Sequence, residues 1–243
     1  MFKTDLTIMY NFSYKMYVPT FHASKVAAVL GLNPYQTKKD VLLAVMARMP
    51  QFEGKIKAPV TDKELVDRAP AELKTGLQTA IAAAVNASSD AEIRQIVNSY
   101  KQTIDGKTDD ATLQALTSEI QKQRGIQLES KSGNAFGGVH ARGKFVHYEC
   151  PDYRMIGLLD GLKEGKVVEI KNRKRFWAEP PAYDFIQLRC YMKMMGEKDG
   201  LLLENFPENS PRVTEVAWSD TEWNKIHNGL LSVCREIEDN YMC

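Results

Sequence analysis

The spacing of apolar positions changes along the chain, from helical in the first half to strand-like runs separated by helices in the second. Helical spacing predicts a short helix over residues 25–30, with Ser24 as its N-cap and Gly31 as its stop, and another over 38–49. Between residues 51 and 110 the composition shifts toward Ala, Lys, Asp and Gln, which predicts further helices. That segment carries no chemical motif, so we interpret it as a packing or partner-binding lobe.

Strand-like runs dominate the second half, after a helical pattern from Asp110 to Leu128 and a polar, glycine-rich passage over 130–143. The predicted strands cover residues 144–149, 154–160, 167–171, 200–206 and 212–218. Helices are predicted over 183–195 and from a Ser219 cap to about residue 241. This order predicts an α/β (α+β) fold, in which a central mixed β-sheet is flanked by helices and carries an inserted helical subdomain.

Length and charge are compatible with that organisation. Residues 1–50 and 111–243 form the predicted core, and residues 51–110 form the inserted subdomain. With 243 residues, 44% of them hydrophobic, the chain is long enough to bury such a core. The 32 basic and 31 acidic residues give a net charge of +1, so a nucleic-acid partner would need a local basic face.

Cysteine usage and hydropathy indicate the compartment. The cysteines lack close pairs and metal-finger spacing, which predicts free thiols in a reducing environment. They are Cys150, Cys190, Cys234 and Cys243. Residues 1–17 contain no signal-peptide pattern, and no segment is long and apolar enough to span a membrane. The sequence therefore predicts a soluble intracellular protein without a membrane partner.

The most distinctive chemistry lies in residues 159–171, which have the pattern of a β-hairpin with two acids and a lysine. Glu169 and Lys171 project to one side of a strand, about 7 Å apart, and a turn between the strands would bring Asp160 beside Glu169. Two carboxylates at that separation suit a hard cation such as Mg²⁺, and the lysine would orient water or stabilise charge on a phosphate. The same residues would also fit a solvated surface hairpin.

Three further features accompany the hairpin. Glu129 ends the preceding helix and would add a carboxylate, although helical frequency alone favours an ordinary helix-face glutamate. Gln187 and Tyr191 share one face of the apolar helix 183–195, where a buried amide needs a hydrogen-bond partner. Basic residues interleaved with aromatics follow the hairpin, as in proteins that bind phosphate backbones and stack unpaired bases. They are Arg173, Lys174, Arg175 and Trp177.

The order of these residues resembles the PD-(D/E)XK nuclease superfamily, and within it the phage lambda exonuclease and YqaJ-type viral recombinase family. Residues 20–35 are similar to that family's opening pattern, Ala-Ser followed by Leu-Gly-x-Asn-Pro-Tyr. The resemblance covers residues 12–48 and 115–206, two blocks separated in sequence. The chain departs from the family in having Leu159 in place of the motif's proline and a longer segment before Glu129.

The resemblance implies a restriction-endonuclease-like core and a role for each motif residue. Mg²⁺, for which Mn²⁺ would substitute, is expected to be held by Glu129, Asp160, Glu169 and the carbonyl of Ile170. Lys171 would position the attacking water, and Gln187 would orient the site or the DNA end. Ser24 resembles the serine near the family's 5′-phosphate pocket. The implied DNA contacts are Ser24, Lys25, Tyr191 and the four residues Arg173, Lys174, Arg175 and Trp177.

The implied activity is a Mg²⁺-dependent 5′→3′ exonuclease that resects linear duplex DNA ends for viral or phage recombination by strand annealing. A single-strand annealing protein and further copies of this chain are its expected partners, and a viral protein would work in the host cytoplasm or nucleus. The alternatives are a structure-specific or restriction-like endonuclease of the same superfamily and a non-catalytic DNA-binding protein on this fold. The complete set of acids and lysine argues against the last of these.

Overall fold

The computed structural model describes residues 18–173, 176–206 and 210–241, so the predicted lack of a signal peptide in residues 1–17 lies outside it. The helices are α1 Ala23–Val29, α2 Lys38–Met46, α3 Asp62–Arg68, α4 Ala71–Asn86, α5 Asp90–Ile104, α6 Asp110–Ala135, α7 Ala182–Met195 and α8 Asp220–Tyr241. The strands are β1 Thr20–His22, β2 Phe145–Glu149, β3 Arg154–Leu158, β4 Gly161–Lys163, β5 Lys166–Asn172, β6 Asp199–Asn205 and β7 Arg212–Ala217.

The strands form two mixed sheets, one ordered β1-β3-β2 and the other β4-β5-β6-β7. In the first sheet, β3 is parallel to β1 and antiparallel to β2. In the second, β5 is antiparallel to β4 and parallel to β6, and β7 is antiparallel to β6. Helix α7 makes the parallel crossover from β5 to β6 and packs against strands of both sheets. The predicted α/β fold of mixed strands flanked by helices is confirmed, with the strands divided between two sheets.

The hairpin differs from the prediction in its first strand. Strand β3 ends at Leu158, and the short strand β4 pairs with β5 instead. The chain leaves β3 because the backbone of Leu162 exchanges two hydrogen bonds with His140, at 2.8 and 2.9 Å. Residues 164 and 165, with φ of 51° and 78°, form the two-residue turn to β5. Asp160 therefore lies at the corner between the two sheets.

One helix is longer than its composition predicts. Helix α6 continues to Ala135, past the predicted end at Leu128. The polar, glycine-rich sequence is typical of a loop, but Gly133 lies directly against the Arg142 side chain. A Cβ atom on Gly133 would lie 1.6 Å from Arg142 Nη2. This tertiary contact supports the last turns of α6, where local helix propensity is low.

The capping predictions have mixed outcomes. His22, without a side-chain cap bond, occupies the N-cap position of α1, so the assignment of Ser24 was wrong. Thr37 caps α2 as predicted, by accepting a hydrogen bond from the backbone N–H of Asp40. Helix α2 then ends at Met46, three residues before the predicted end, and the chain continues through a 3₁₀ turn.

Two large apolar clusters hold these elements together. The main core joins both sheets to α1, α2, α7 and α8, with Phe21, Tyr153 and Leu188 fully buried. Helices α3 to α6 share a second cluster, inside which the Tyr100 hydroxyl donates to the Leu73 carbonyl at 2.9 Å. Helix α6 connects the two regions, because its first half packs in the second cluster and it also contacts β5.

The structure also bears on two further predictions, the absence of a membrane-spanning segment and the state of the cysteines. Within the described ranges, no helix is long and apolar enough to cross a membrane. Cys150 and Cys190 are free thiols, as predicted, Cys234 forms no disulfide with another described residue, and Cys243 lies outside the described residues.

Candidate active site

The β4–β5 hairpin brings Asp160 and Glu169 together. Gly161 pairs with Val168, so the next pair outward along the two strands is Asp160 and Glu169. The backbone N–H of Ile170 donates to Asp160 Oδ2 at 2.7 Å, which fixes the carboxylate beside β5. The hydrogen bond and the register together place the two predicted acids side by side, as the sequence indicates.

Lys171 lies at the centre of this group. Its ammonium nitrogen is 2.5 Å from Glu169 Oε1, and the Glu169 side chain is only 1% exposed. The same nitrogen donates to Gln187 Oε1 at 3.1 Å and lies 3.7 Å from Asp184 Oδ1. The predicted glutamine of α7 therefore orients the lysine of β5, and Asp184, which was not predicted, adds a second carboxylate.

Burial and mutual repulsion make the carboxylates weak acids. Burial raises the pKa of Glu169 to about 8, against the opposing charge of Lys171. Burial, and then the charge of Asp160, raises the pKa of Glu129 on α6 to about 7. Burial also raises the pKa of Asp160, although Lys171 and the Ile170 N–H lower it. Burial alone would lower the pKa of Lys171, but Glu169, Asp184 and Asp160 raise it above its ordinary value. The site thus combines a protonated lysine with several buried carboxylates. The single ammonium group does not fully neutralise their negative charge.

The carboxylate oxygens are of the kind that a hard divalent cation prefers, but the side chains are not gathered around one point. Among the described residues, no three histidine, cysteine, aspartate or glutamate side chains form a group that could hold a metal ion. Lys171 provides the nearest positive charge to Glu169. However, Glu169 Oε2 is buried and has no hydrogen-bond partner in the described part of the chain. A buried carboxylate oxygen without a donor is the kind of ligand that a cation such as Mg²⁺ would take.

A buried ion network extends from the site across the sheet. Arg173 Nη2 lies 2.5 Å from Asp184 Oδ2 and 2.8 Å from Glu204 Oε1. Glu204 on β6 is fully buried, and its other oxygen accepts from Arg212 Nε at 2.7 Å. Buried charges need charged partners, and here Arg173 links α7 to β6 while Arg212 links β7 to β6. Arg173 was predicted to contact DNA, but its guanidinium instead pairs with Asp184 and Glu204 in this network.

The network also holds the segment that follows β5. Arg212 Nη1 donates to the carbonyls of Trp177 and Ala178 at 2.8 and 2.7 Å. The guanidinium of Arg173 lies 5.8 Å from the centroid of the Trp177 ring, and that of Arg212 lies 5.6 Å from the Phe176 ring. Sequence reasoning missed this anchor, although an acid at Glu204 inside an apolar strand was a usable signal, because a buried acid requires a cation.

The other predicted DNA contacts are dispersed. Ser24 and Lys25 are exposed at the start of α1, and Trp177 is half-buried. Lys174 and Arg175 lie outside the described residues. Tyr191 is only 4% exposed in the main core, so its predicted contact with DNA does not fit its position.

Tyr191 instead supports Gln187. The two side chains are hydrogen-bonded, and the Tyr191 ring packs against Gly157 of β3. A Cβ atom at Gly157 would lie 2.5 Å from Tyr191 Cε1, so only glycine leaves room for the ring. This contact sets the distance between α7 and the first sheet. It thereby positions the Gln187 side-chain amide, which accepts a hydrogen bond from Lys171.

Gly157→Ala is expected to lower the free energy of unfolding by roughly 1–3 kcal/mol, because the added methyl group displaces the Tyr191 ring. Urea denaturation measures the change. Gly125→Ala is the matched control: nothing lies within 4 Å of a Cβ there, and alanine in a helix should raise stability by up to about 1 kcal/mol. Equal stability of Gly157→Ala and the wild type would contradict this packing.

Asp184→Asn is expected to slow DNA cleavage roughly 10- to 100-fold, the usual cost of losing a residue that orients a functional group. The change removes one of the two carboxylates within 4 Å of the Lys171 ammonium. It should also shift the pH profile of the rate to lower pH, because the charge of Asp184 helps to raise the pKa of Glu169. Asp199→Asn, at an exposed position of β6, is the control. A purely structural role would change stability and leave the pH profile in place.

Comparisons with known proteins find only distant similarity. No protein-family model matches the chain, and no curated protein matches it. Among solved structures, it is similar to an alkaline exonuclease (LHK-Exo) from Laribacter hongkongensis, at 16% identity and a TM-score of 0.41 over 65% of this chain and 86% of that one. It is also similar to SSO0001, at 14% identity and a TM-score of 0.40 over 74% and 89% of the two chains. Similarity at this level assigns no family, and the site described above rests on its own geometry.

Proposed function

We propose that this chain is a metal-dependent nuclease that hydrolyses DNA phosphodiester bonds at the hairpin site. The observation that carries the proposal is the contact of Lys171 with the buried Glu169, beside Asp160 and next to an unpartnered carboxylate oxygen. A solvated hairpin, the competing interpretation, would not bury these charges. Buried acids around a lysine, held by an amide from α7, instead have the arrangement of a reactive centre.

Each residue has a task in that reaction. Mg²⁺ or Mn²⁺ would be held by Glu129, Asp160, Glu169 and the Ile170 carbonyl, and when bound it would polarise the phosphate and stabilise the leaving oxygen. Lys171 keeps its proton and offers positive charge and a hydrogen bond to the attacking water or the phosphate. Gln187 holds the ammonium in place.

We further propose that the natural substrate is the end of a linear DNA duplex, resected in the 5′→3′ direction for recombination by strand annealing. The support is the similarity of residues 20–35 to the opening pattern of the viral recombinase family, in addition to the hairpin motif. This role implies a single-strand annealing protein as a partner and a homo-oligomer as the working form. It also implies an intracellular location, in host cytoplasm or nucleus if the source is viral.

The test uses linear duplexes labelled at the 5′ or the 3′ end, with closed circular DNA as the control. Early release of the 5′ label as short products, with Mg²⁺ and with the circle intact, is the expected result. Cleavage of the circle would identify an endonuclease of the same chemistry. If neither substrate is cleaved, the nuclease proposal fails and the non-catalytic DNA-binding protein is the remaining hypothesis. Full activity in excess chelator would overturn the proposed metal dependence.

A further inference from the structure

A cleft of about 730 Å³ lies between α1 and α2 on one side and α3 and α6 on the other. One wall comes from α1 and from the end of α2, and it carries Lys25 and Arg48. The other comes from the first turn of α3 and from α6, and it carries Lys63 and Lys122. The cleft is therefore built jointly by two regions that have separate apolar clusters.

The charges that line the cleft are mostly positive. Four basic side chains, two on each wall, face two acids, Asp40 and Asp62. Lys63 pairs with Asp67 at 2.6 Å and Lys122 with Glu119 at 3.5 Å, but both lysines are more than half exposed. Exposed pairs of this kind contribute little to stability, so both lysines are available to a stronger anion.

The basic groups are also close enough to repel one another. Burial, and then the charge of Lys122 on the opposite wall, lowers the pKa of Lys25. Arg48 Nη1 lies 3.4 Å from His22 Nε2, and burial and these neighbouring cations lower the pKa of His22. An anion between the walls would relieve this repulsion, which a neutral ligand would not do.

The cleft shares a wall with the candidate active site. Lys122 and Glu129 are seven residues apart on one face of α6, which corresponds to about 10 Å along the helix. The carbonyl of Gly125, between them, accepts a hydrogen bond from Asn172 Nδ2 at 3.1 Å. Asn172 directly follows Lys171, so this bond fixes the middle of the α6 wall to the strand that carries the reactive lysine.

We propose that the cleft binds one strand of DNA through its phosphates and leads it to the hairpin site. This inference rests on the proposed nuclease function. A space of this size accepts a ligand of one or a few nucleotides and not a duplex. The apolar side chains of Val41, Val45 and Val60 in the lining would contact sugars and bases without reading their sequence. About 10 Å from Lys122 to Glu129 corresponds to roughly three nucleotides of a B-form strand.

The proposal assigns a function to the insertion itself. Lys63 lies in residues 51–110, the segment that carries no catalytic motif, and it reaches the cleft because α3 packs against α6. A core without this segment would keep Lys25, Arg48 and Lys122 but would lose Lys63 and the first turn of α3 from the second wall. The insertion would thus complete the second wall of a channel for a single strand.

The test measures binding of a fluorescent single-stranded oligonucleotide by anisotropy, in chelator so that no cleavage occurs. The double variant Lys63→Ala/Lys122→Ala is expected to bind roughly tenfold more weakly. Its plot of log Kd against log salt should lose about 1.4 units of slope, since each lost phosphate contact on a single strand removes about 0.7. Lys101→Ala/Lys107→Ala removes the same charge from exposed positions of the insertion and should bind as the wild type does.

The outcomes separate this proposal from the proposed nuclease activity. If the Lys63/Lys122 variant binds and shows the same salt slope as the wild type, the cleft is not the path of the strand. If only a free mononucleotide, titrated in parallel, loses affinity, the cleft is a nucleotide pocket and the strand proposal is overturned. If the variant loses affinity but the wild-type protein cleaves nothing, the cleft proposal stands and the nuclease proposal fails.

Discussion

Lys171→Met is expected to reduce the rate of DNA cleavage at least about a hundred- to thousand-fold, the usual loss when a positioned charge at a reactive centre is removed. Methionine keeps the length and the apolar stem of the side chain but has no charge to offer to water or phosphate. The fold should survive, because Glu169, whose pKa burial raises to about 8, takes up a proton when its partner is lost. The initial rate on end-labelled linear duplex with Mg²⁺ is the measurement.

A matched control lies in the same strand. Lys166→Met removes an ammonium from the other end of β5, where it pairs with the exposed Glu215 at 3.1 Å. This variant should cleave at nearly the wild-type rate. Cleavage by Lys171→Met at the wild-type rate would show that the hairpin is not the reactive centre, provided that both variants have the same circular dichroism spectrum as the wild type.

The free energy of unfolding of the metal-free protein is expected to fall as pH rises from about 4.5 to about 8. Glu169 and Glu129 have ordinary pKa values of 4.5, raised in the folded state to about 8 and about 7. Between these values the folded protein binds more protons than the unfolded chain, so raising the pH favours unfolding. The rise in the pKa of Glu169 alone corresponds to a loss on the order of 5 kcal/mol, since one pKa unit corresponds to about 1.4 kcal/mol, and Glu129 adds a smaller part because it is only half-buried.

Magnesium should offset part of this loss. A cation that binds the ionised carboxylates stabilises the folded state by about 2.7 kcal/mol at a hundred times its Kd. Urea denaturation in chelator and in Mg²⁺, at several pH values across that range, measures both effects. Glu169→Gln is the control, because it keeps the shape of the side chain and removes the titration. If its stability depends on pH as steeply as that of the wild type, Glu169 is not the group responsible.

Local pattern was sufficient for the central part of the site. Glu169 and Lys171 share a side of β5 because strand side chains alternate, and that rule needs only the sequence. The pairing of Asp160 with Glu169 depends on a two-residue turn at 164–165, which also lies within the hairpin. The exact strand was still mispredicted, because the bond between Leu162 and His140 joins residues that local pattern does not connect.

Contacts between distant residues explain the remaining differences. The polar end of α6 is helical because Gly133 packs against Arg142, which comes after the helix. Tyr191 is buried because Gly157 on another strand leaves room for its ring. Arg173 turns away from solvent because Glu204, which follows α7 in the chain, offers a buried carboxylate. Composition and periodicity describe each of these residues alone and not its partner.

The sequence by itself determined most strands and helices of the main core, except β1 and β4, and which residues of the hairpin face one another. Both follow from repeating backbone geometry over a few residues. Only the tertiary structure decided that Asp184 would reach Lys171, that Arg173 would join the network instead of solvent, and that Lys63 and Lys122 would line one cleft with Lys25. These contacts depend on how α3, α6 and α7 pack against the sheets, and packing is set by the shape of many side chains at once.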